Sequence, residues 1–104
     1  MMTLEKRTQS EADFELLMQR LLEIHADSLS PLGAGLIAAA YTGYCTDSHT
    51  FSKRLGVEHA LVIRECIVLA DHHEVIEING RNERSQRIQY VLTKGGRDLL
   101  EAAT

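Results

Sequence analysis

Guanidinium groups are the side chains of this sequence best suited to binding a ligand. Arg81, Arg84 and Arg87 fall within a stretch of seven residues, which concentrates positive charge. An arginine offers N–H donors in a fixed planar fork and remains charged at neutral pH, so it suits the recognition of phosphates and base edges. The whole chain carries a net charge of −4, yet residues 79–104 hold five basic and three acidic side chains. The charge distribution therefore permits a local anion-binding surface on an acidic protein.

Metal ligation and catalysis receive less support from the residue pattern. Residues 71–74 are of metal-ligand type, as are Asp47 and His49, but adjacent histidines in a turn point in different directions. The sequence contains no Gly-x-Ser-x-Gly, His-Glu-x-x-His or phosphate-loop pattern. Cys45 and Cys66 stand among apolar neighbours, which indicates reduced cysteines that act as small buried hydrophobes. We therefore expect no catalytic residue, no metal site and no cofactor.

Residues 47–71 carry the pattern of two helices joined by a tight turn. Thr46, Asp47 or Ser48 can cap the first of these helices, and Gly56 tolerates the left-handed conformation that ends it. The second helix is predicted over residues 58–71. The side chains expected to face the core are Val57, Val62, Cys66 and Leu69, and those expected outside are His59, Ala60, Leu61, Ile63, Arg64 and Ile67.

The next segment alternates apolar and polar residues, as a half-buried β-hairpin does. Strands are predicted over residues 74–78 and 86–92. The loop between them is predicted over residues 79–85 and starts at the turn dipeptide Asn79-Gly80. Thr93 is then expected to cap a last helix.

Two further helices are predicted before residue 47. The first follows a capping box, in which Thr8 is paired with Glu11, and runs to about Ser28. Its apolar side chains exceed what one contact needs, so a second subunit can pack on the helix from Phe14 to Ile24; the alternative is that this stripe only covers the core. The second helix begins with Ser30 as its cap and Pro31 in its first turn, and its Gly and Ala residues favour close helix packing.

The whole-chain composition indicates one globular domain over residues 1–104. Hydrophobic residues make up 44% of the chain and charged residues 25%, which is typical of a globular and not a disordered protein. The mean hydropathy is −0.15, and the longest apolar run, Leu36 to Tyr41, is too short to cross a membrane. The first residues lack the apolar core of a signal peptide, so we expect a cytoplasmic protein without membrane contact.

The order of these elements and the residues at their turns resemble one known family. Leu55-Gly56-Val57 lies between the two helices, residues 80–84 have the composition of a charged loop, and residues 92–100 read Leu-Thr-Lys-Gly-Gly-Arg-Asp-Leu-Leu. This half of the chain resembles the winged helix-turn-helix transcription regulators, particularly the multiple-antibiotic-resistance regulator type, in a shortened form. The resemblance implies a mainly α (α+β) fold with a two-stranded wing and extra N-terminal helices. Its parts would be N-terminal helices over 1–46, a helix-turn-helix over 47–71, a wing hairpin over 74–92 and a C-terminal helix over 93–104.

The resemblance also implies a function. In this family a helix enters the major groove of double-stranded DNA and the wing contacts the backbone or minor groove. We therefore expect a homodimeric DNA-binding regulator of transcription. The expected DNA-binding residues are Ser48, Thr50, Lys53 and Arg54 for phosphates, His59 and Arg64 on the recognition helix, and Arg81, Arg84 and Arg87 on the wing.

One feature favours a different function. Leu61, Ile63 and Ile67 are apolar where a recognition helix usually carries polar side chains, and Glu58 and Glu65 repel phosphate. An apolar outer face is more typical of a contact between proteins. The alternative is therefore a winged-helix module that binds a protein partner and not DNA.

Overall fold

The computed structural model describes residues 9–103, which form five helices and one two-stranded antiparallel sheet. The α+β class and the expected order of elements are confirmed, while the predicted cap at Thr8 lies outside the described residues. Within residues 9–103, no helix combines the length and the apolar character that crossing a membrane requires. The elements are α1 (Gln9–Ile24), α2 (Pro31–Thr42), α3 (Ser48–Leu55), α4 (His59–Asp71), β1 (Ile76–Arg81), β2 (Ile88–Leu92) and α5 (Lys94–Ala103).

Side-chain caps fix where three of the helices begin. The Ser30 hydroxyl accepts a hydrogen bond from the Gly33 N–H at 3.0 Å, and the Asp47 carboxylate accepts one from the Thr50 N–H at 2.8 Å. The Thr93 hydroxyl does the same at the start of α5. Each bond satisfies a backbone N–H that has no partner inside its own helix. The predicted caps Ser30 and Thr93 are therefore confirmed, and Asp47 is the cap among the three candidates Thr46, Asp47 and Ser48.

The core lies between α1, α2 and the α3–α4 pair, and the hairpin closes one side of it. Phe14, Leu17 and Leu21 of α1 are buried against α2, as their spacing predicts. Ile24 was expected on the same face but is 50% exposed, because α1 ends there and the chain turns away. Val62, Cys66 and Leu69 of α4 are fully buried, as predicted, whereas Ile63, expected nearer the outside, is half-buried against the core.

Tyr90 connects the hairpin to the centre of the fold. Its side chain is 2% exposed and its hydroxyl donates a hydrogen bond to the carbonyl of Leu36, in the middle of α2, at 3.2 Å. Burial raises the pKa of this hydroxyl well above its ordinary value, so it remains a donor. Thr46, just before α3, accepts a backbone hydrogen bond from the N–H of Tyr90 at 3.3 Å. The strand β2 is thus bonded to both α2 and the segment that starts α3.

The turn of the hairpin lies later in the chain than predicted. Asn79 and Gly80 belong to β1, where the register shifts between Ile78 and Gly80. The chain instead reverses after Asn82, whose side-chain oxygen accepts the N–H groups of Arg84 and Ser85, each at 2.9 Å. The prediction was wrong because this asparagine-centred turn supplies hydrogen bonds that an Asn-Gly turn does not.

Candidate functional site

The two helices α3 and α4 meet the start of strand β2 in one polar cluster. Fully buried Ser48 lies at its centre: its hydroxyl oxygen accepts the Ile88 N–H at 2.8 Å and lies 2.8 Å from Nε2 of His59. A backbone N–H of β2, a side chain of α3 and a side chain of α4 therefore share one hydroxyl. We call Asp47, Ser48, His49, His59 and Arg87 together the polar junction.

Asp47 binds the start of α3 to the hairpin. Its two carboxylate oxygens accept the N–H and the hydroxyl of Thr50, each at 2.8 Å, and one of them lies 3.5 Å from Nε of Arg87. Burial alone would raise the pKa of Asp47, but the hydrogen bonds from Thr50 and the charge of Arg87 outweigh it and lower the pKa. Asp47 therefore stays ionised and holds Arg87 at the junction.

Two histidines complete the junction. An Nη2–H of Arg87 points at Nδ1 of His49 at 3.1 Å, and the rings of His49 and His59 meet edge to face with centroids 5.6 Å apart. Burial, the nearby His49 and the positive Arg87 together lower the pKa of His59, although Asp47 acts in the opposite sense. His59 is therefore uncharged at neutral pH.

The junction corrects one predicted DNA contact. Ser48 was expected to bind a phosphate, but its side chain is 0% exposed and its oxygen is already hydrogen-bonded to Ile88 and His59. No phosphate can reach it, because β2 covers the start of α3. Thr50 is half-buried and its hydroxyl proton is directed at Asp47, so a phosphate would have to break that bond first.

Arg54 is directed away from the junction. Its guanidinium donates to the backbone carbonyl of Tyr44 and stacks over the Tyr44 ring, with its central carbon 4.9 Å from the ring centre. Tyr44 itself stacks on Phe14 of α1 with ring centroids 4.9 Å apart. Arg54 therefore stabilises the connection between α2 and α3. The apolar periodicity of the sequence does not predict this contact.

Three predicted DNA contacts remain free cations on the surface. Lys53, Arg64 and Arg84 are exposed, and their side chains have no hydrogen-bond or ion-pair partner among residues 9–103. Arg81 is also exposed and donates to the side-chain oxygen of Gln86 at 2.7 Å. Arg81 and Arg87 line one side of a cleft of about 320 Å³ on the hairpin, which Gln89 also lines.

The outward face of α4 is less apolar than its sequence suggests. Leu61 is 45% exposed, but Ile63 and Ile67 are half-buried. Glu65 was expected to repel phosphate, yet its carboxylate accepts the Ser30 hydroxyl at 3.1 Å at the start of α2. Negative charge at a helix start is favourable, so this residue has a structural role inside the fold. The exposed residues of α4 from its first turns are Ala60, Leu61 and Arg64.

The cysteines are placed for packing. Cys45 and Cys66 are buried free thiols. Burial and the neighbouring Glu65 raise the pKa of Cys66 to about 12, and burial raises that of Cys45 in spite of the nearby Arg54. Neither thiol is a ready nucleophile at neutral pH. Among residues 9–103, no three His, Cys, Asp or Glu side chains are grouped to hold a metal ion.

Some residues of the polar junction were predicted from the sequence as DNA contacts, and others were not. His59 and Arg87 were predicted as DNA contacts and lie in the polar junction, whereas Arg64 and Lys53 have no contact with it. His49 was not predicted as a contact, although the residue types of 47–49 were the available signal. His49 is placed in the junction by its contact with Arg87, and the sequence does not show this contact because the two residues are 38 positions apart.

The chain matches no protein-family model, no curated protein and no solved structure. The geometry of the polar junction and of the surface cations is therefore the basis for a functional interpretation.

Proposed function

We propose that this protein is a winged helix-turn-helix regulator of transcription that binds double-stranded DNA in the cytoplasm and has no enzymatic activity. In this proposal α3 and α4 form the helix-turn-helix and the β1–β2 hairpin is the wing. The observation that carries it is the exposed guanidinium of Arg64 on the outer face of α4, without a partner among residues 9–103. An arginine in that position can form a bidentate contact with a guanine in the major groove.

The neighbours of Arg64 suit the same groove. Ala60 and Leu61 are exposed beside it, and short apolar side chains contact the methyl group of thymine. The half-buried positions of Ile63 and Ile67 remove most of the apolar surface that argued against DNA. The involvement of Glu65 with Ser30 leaves Glu58 as the acidic side chain at the start of α4.

The wing and α3 would supply the phosphate contacts. Arg84 lies in the turn of the hairpin and Arg81 at the end of β1, and both are exposed. Lys53 is exposed on α3. Such contacts strengthen binding to every DNA sequence and release counterions, so they make the affinity depend on salt.

We also propose that the regulator is a homodimer. Leu16 and Ile24 on α1 are 54% and 50% exposed, and Tyr41 at the end of α2 is 57% exposed. Leu16 and Tyr41 line one groove, of about 730 Å³, with Asp13 and Arg20 beside them. A second copy packed here would cover these apolar side chains and place two α4 helices on a two-fold DNA site.

The test is selection from a pool of random duplex DNA at about 50 mM and about 200 mM salt. We expect the wild-type protein to enrich a short palindrome and to lose affinity steeply as salt rises. Arg64→Ala should weaken binding to the selected site far more than to random duplex, whereas the Arg81→Ala/Arg84→Ala variant should weaken both. Arg97→Ala, which removes an exposed arginine from α5, is the matched control and should bind as the wild type does. Absence of any duplex binding at low salt would rule the proposal out.

Leu61 supports a second candidate, a module that binds another protein through α4. Its side chain is 45% exposed next to half-buried Ile63 and Ile67, and this group can form the centre of an apolar contact. Leu61→Glu should then abolish binding to a protein partner in a pull-down, while the variant remains folded. If Leu61→Glu retains the partner but Arg64→Ala loses DNA, this candidate is excluded.

A further inference from the structure

The ring of His49 is held in one orientation by its neighbours. On one side an Nη2–H of Arg87 lies 3.1 Å from its Nδ1, and on the other the ring of His59 meets it edge to face at 87°. Asp47, two residues earlier, holds the same arginine at 3.5 Å. A residue of α4 and the residue directly before β2 thus fix a side chain that lies in the first turn of α3.

The contact with Arg87 determines which ring nitrogen of His49 carries the proton. Arginine can only donate hydrogen bonds, so Nδ1 of His49 must be the acceptor and cannot carry a proton. The neutral ring then carries its proton on Nε2. This assignment follows from the chemistry of the two groups and not from the position of any hydrogen atom.

The Nε2–H of His49 is left open to solvent. It has no partner among residues 9–103, and His49 is half-buried rather than enclosed. Within the described part of the chain, the buried side-chain nitrogen or oxygen without a hydrogen bond is Nε of Arg87, and no atom of His49 is of that kind. A donor is therefore held rigidly at the surface of the polar junction with nothing of the fold to bind.

The charges around this donor favour an anion. Arg87 adjoins His49 directly, and Arg81 shares the hairpin cleft with Arg87. The opposing charge is Asp47, whose oxygens already accept two hydrogen bonds from Thr50. His59 faces the ring from α4 as an uncharged neighbour.

We propose that His49 donates its Nε2–H to a backbone phosphate of DNA, and that Arg87 is a positioning residue that fixes the required tautomer. This inference rests on the proposed DNA-binding function. It assigns to His49 the phosphate contact at the start of α3 for which Ser48 is too deeply buried.

A neutral donor and a cation leave different traces in binding data. Loss of a cationic contact lowers both the affinity and the dependence of log K on log salt, by about 0.9 in slope for each phosphate. Loss of a neutral donor lowers the affinity without releasing fewer counterions. We therefore expect His49→Ala to bind all duplexes about ten-fold more weakly with an unchanged salt slope, because hydrogen bonds to charged groups are stronger than average. Arg81→Ala should lower the slope as well.

The binding test compares His49→Ala and His49→Gln with His72→Ala, which removes an exposed histidine from the turn after α4. His49→Gln retains an N–H donor at a similar reach and should recover most of the affinity, while His72→Ala should match the wild type. Thermal unfolding of each variant establishes that it is folded. Wild-type affinity in His49→Ala would overturn the inference but leave the proposed function intact, whereas a wild-type protein that binds no duplex would overturn both.

The tautomer can be measured directly in the free, full-length protein. Nitrogen-15 NMR of the imidazole rings should show His49 neutral with its proton on Nε2, and Arg87→Ala should give a mixture of tautomers and a weaker phosphate contact. A wild-type His49 that carries its proton on Nδ1 would overturn the inference, even if a variant at His49 failed to fold.

Discussion

The start of strand β2 and the turn that precedes it use similar residues for opposite purposes. At the start of β2, Ser48 accepts the N–H of Ile88 in a fully buried position. At the turn, Ser85 accepts the N–H of Arg87 in an exposed position. The first bond excludes water and connects distant parts of the chain, whereas the second is local and competes with solvent.

The arginines differ between the same two regions. Arg87, directly before β2, is bound to Asp47 and His49, but Arg84 in the turn has no side-chain partner among residues 9–103. A cluster of basic residues in a sequence can therefore contain arginines that stabilise the fold and arginines that remain available to a ligand. The predictions that follow test this division, beginning with the largest effect.

Gly96→Ala should be the most damaging single change, where α5 packs against the start of the hairpin. A Cβ on Gly96 would lie 2.2 Å from the backbone oxygen of Val75, so α5 or the start of β1 must move. We expect the free energy of unfolding to fall by about 3 kcal/mol. Gly95→Ala is the control, since its Cβ would lie 3.3 Å from the nearest atom, and it should change the stability by less than about 1 kcal/mol. Urea titration measures both, and equal losses would show that close packing of α5 is not the cause.

Ser48→Ala compared with Ser85→Ala measures the two hydrogen bonds against each other. Ser48→Ala leaves the buried N–H of Ile88 without a partner and should cost about 2 kcal/mol in the free energy of unfolding. Ser85→Ala lets water replace the lost hydroxyl and should cost less than about 0.5 kcal/mol. The comparison would break down if both variants were equally stable in urea titration.

The stability of the protein should depend on pH through His59 of the polar junction. Its pKa is lowered in the fold from an ordinary value of 6.5, so below that pH the unfolded chain binds more protons than the folded one. Stability is therefore complete above pH 6.5 and decreases as the pH falls towards the folded pKa. His59→Gln should reduce this decrease, while His72→Gln in the exposed turn should retain it. Melting temperatures measured across this range check the sign, and a wild-type protein that becomes more stable as pH falls through it would contradict the assignment.

Arg84→Ala should produce the smallest effect on folding. The guanidinium has no side-chain partner among residues 9–103, so we expect a change in the free energy of unfolding of less than about 0.5 kcal/mol. Arg87→Ala is the contrasting variant in the polar junction, because it removes the partner of Asp47 and His49. It should be clearly less stable than the wild type. If the two variants were equally stable, the contacts of Arg87 with Asp47 and His49 would not contribute to folding, and the contrast with Arg84 would be wrong.

The sequence predicts the elements of this protein well because its periodic and capping signals are local. The apolar spacing of Val62, Cys66 and Leu69 gave the phase of α4, and Asp47 gave the start of α3. The turn of the hairpin was misplaced because Asn79-Gly80 predicts the start of a turn, whereas the hydrogen bonds of Asn82 place it later in the chain.

The candidate site was harder to predict because its contacts are not local. Ser48, an ordinary polar residue at a helix start, becomes buried only because β2 packs over it. Arg87 is similar in sequence context to Arg84, and only the position of Asp47 across the fold separates their roles. A pattern of residue types can nominate such side chains, but their partners depend on tertiary packing.

The buried hydrogen bond from Tyr90 to Leu36 has a consequence for motion. Because β2 is bonded to the middle of α2 at this residue, the strand cannot tilt without breaking a contact in the core. Residues 82–86, between Arg81 and the attached Arg87, form an exposed turn without such an attachment. We expect the hairpin to bend about Ile88, with slow hydrogen exchange at the amides of Ile88 and Tyr90 and fast exchange at Arg84. The basic turn can then adapt to a surface of variable shape while the core keeps one conformation.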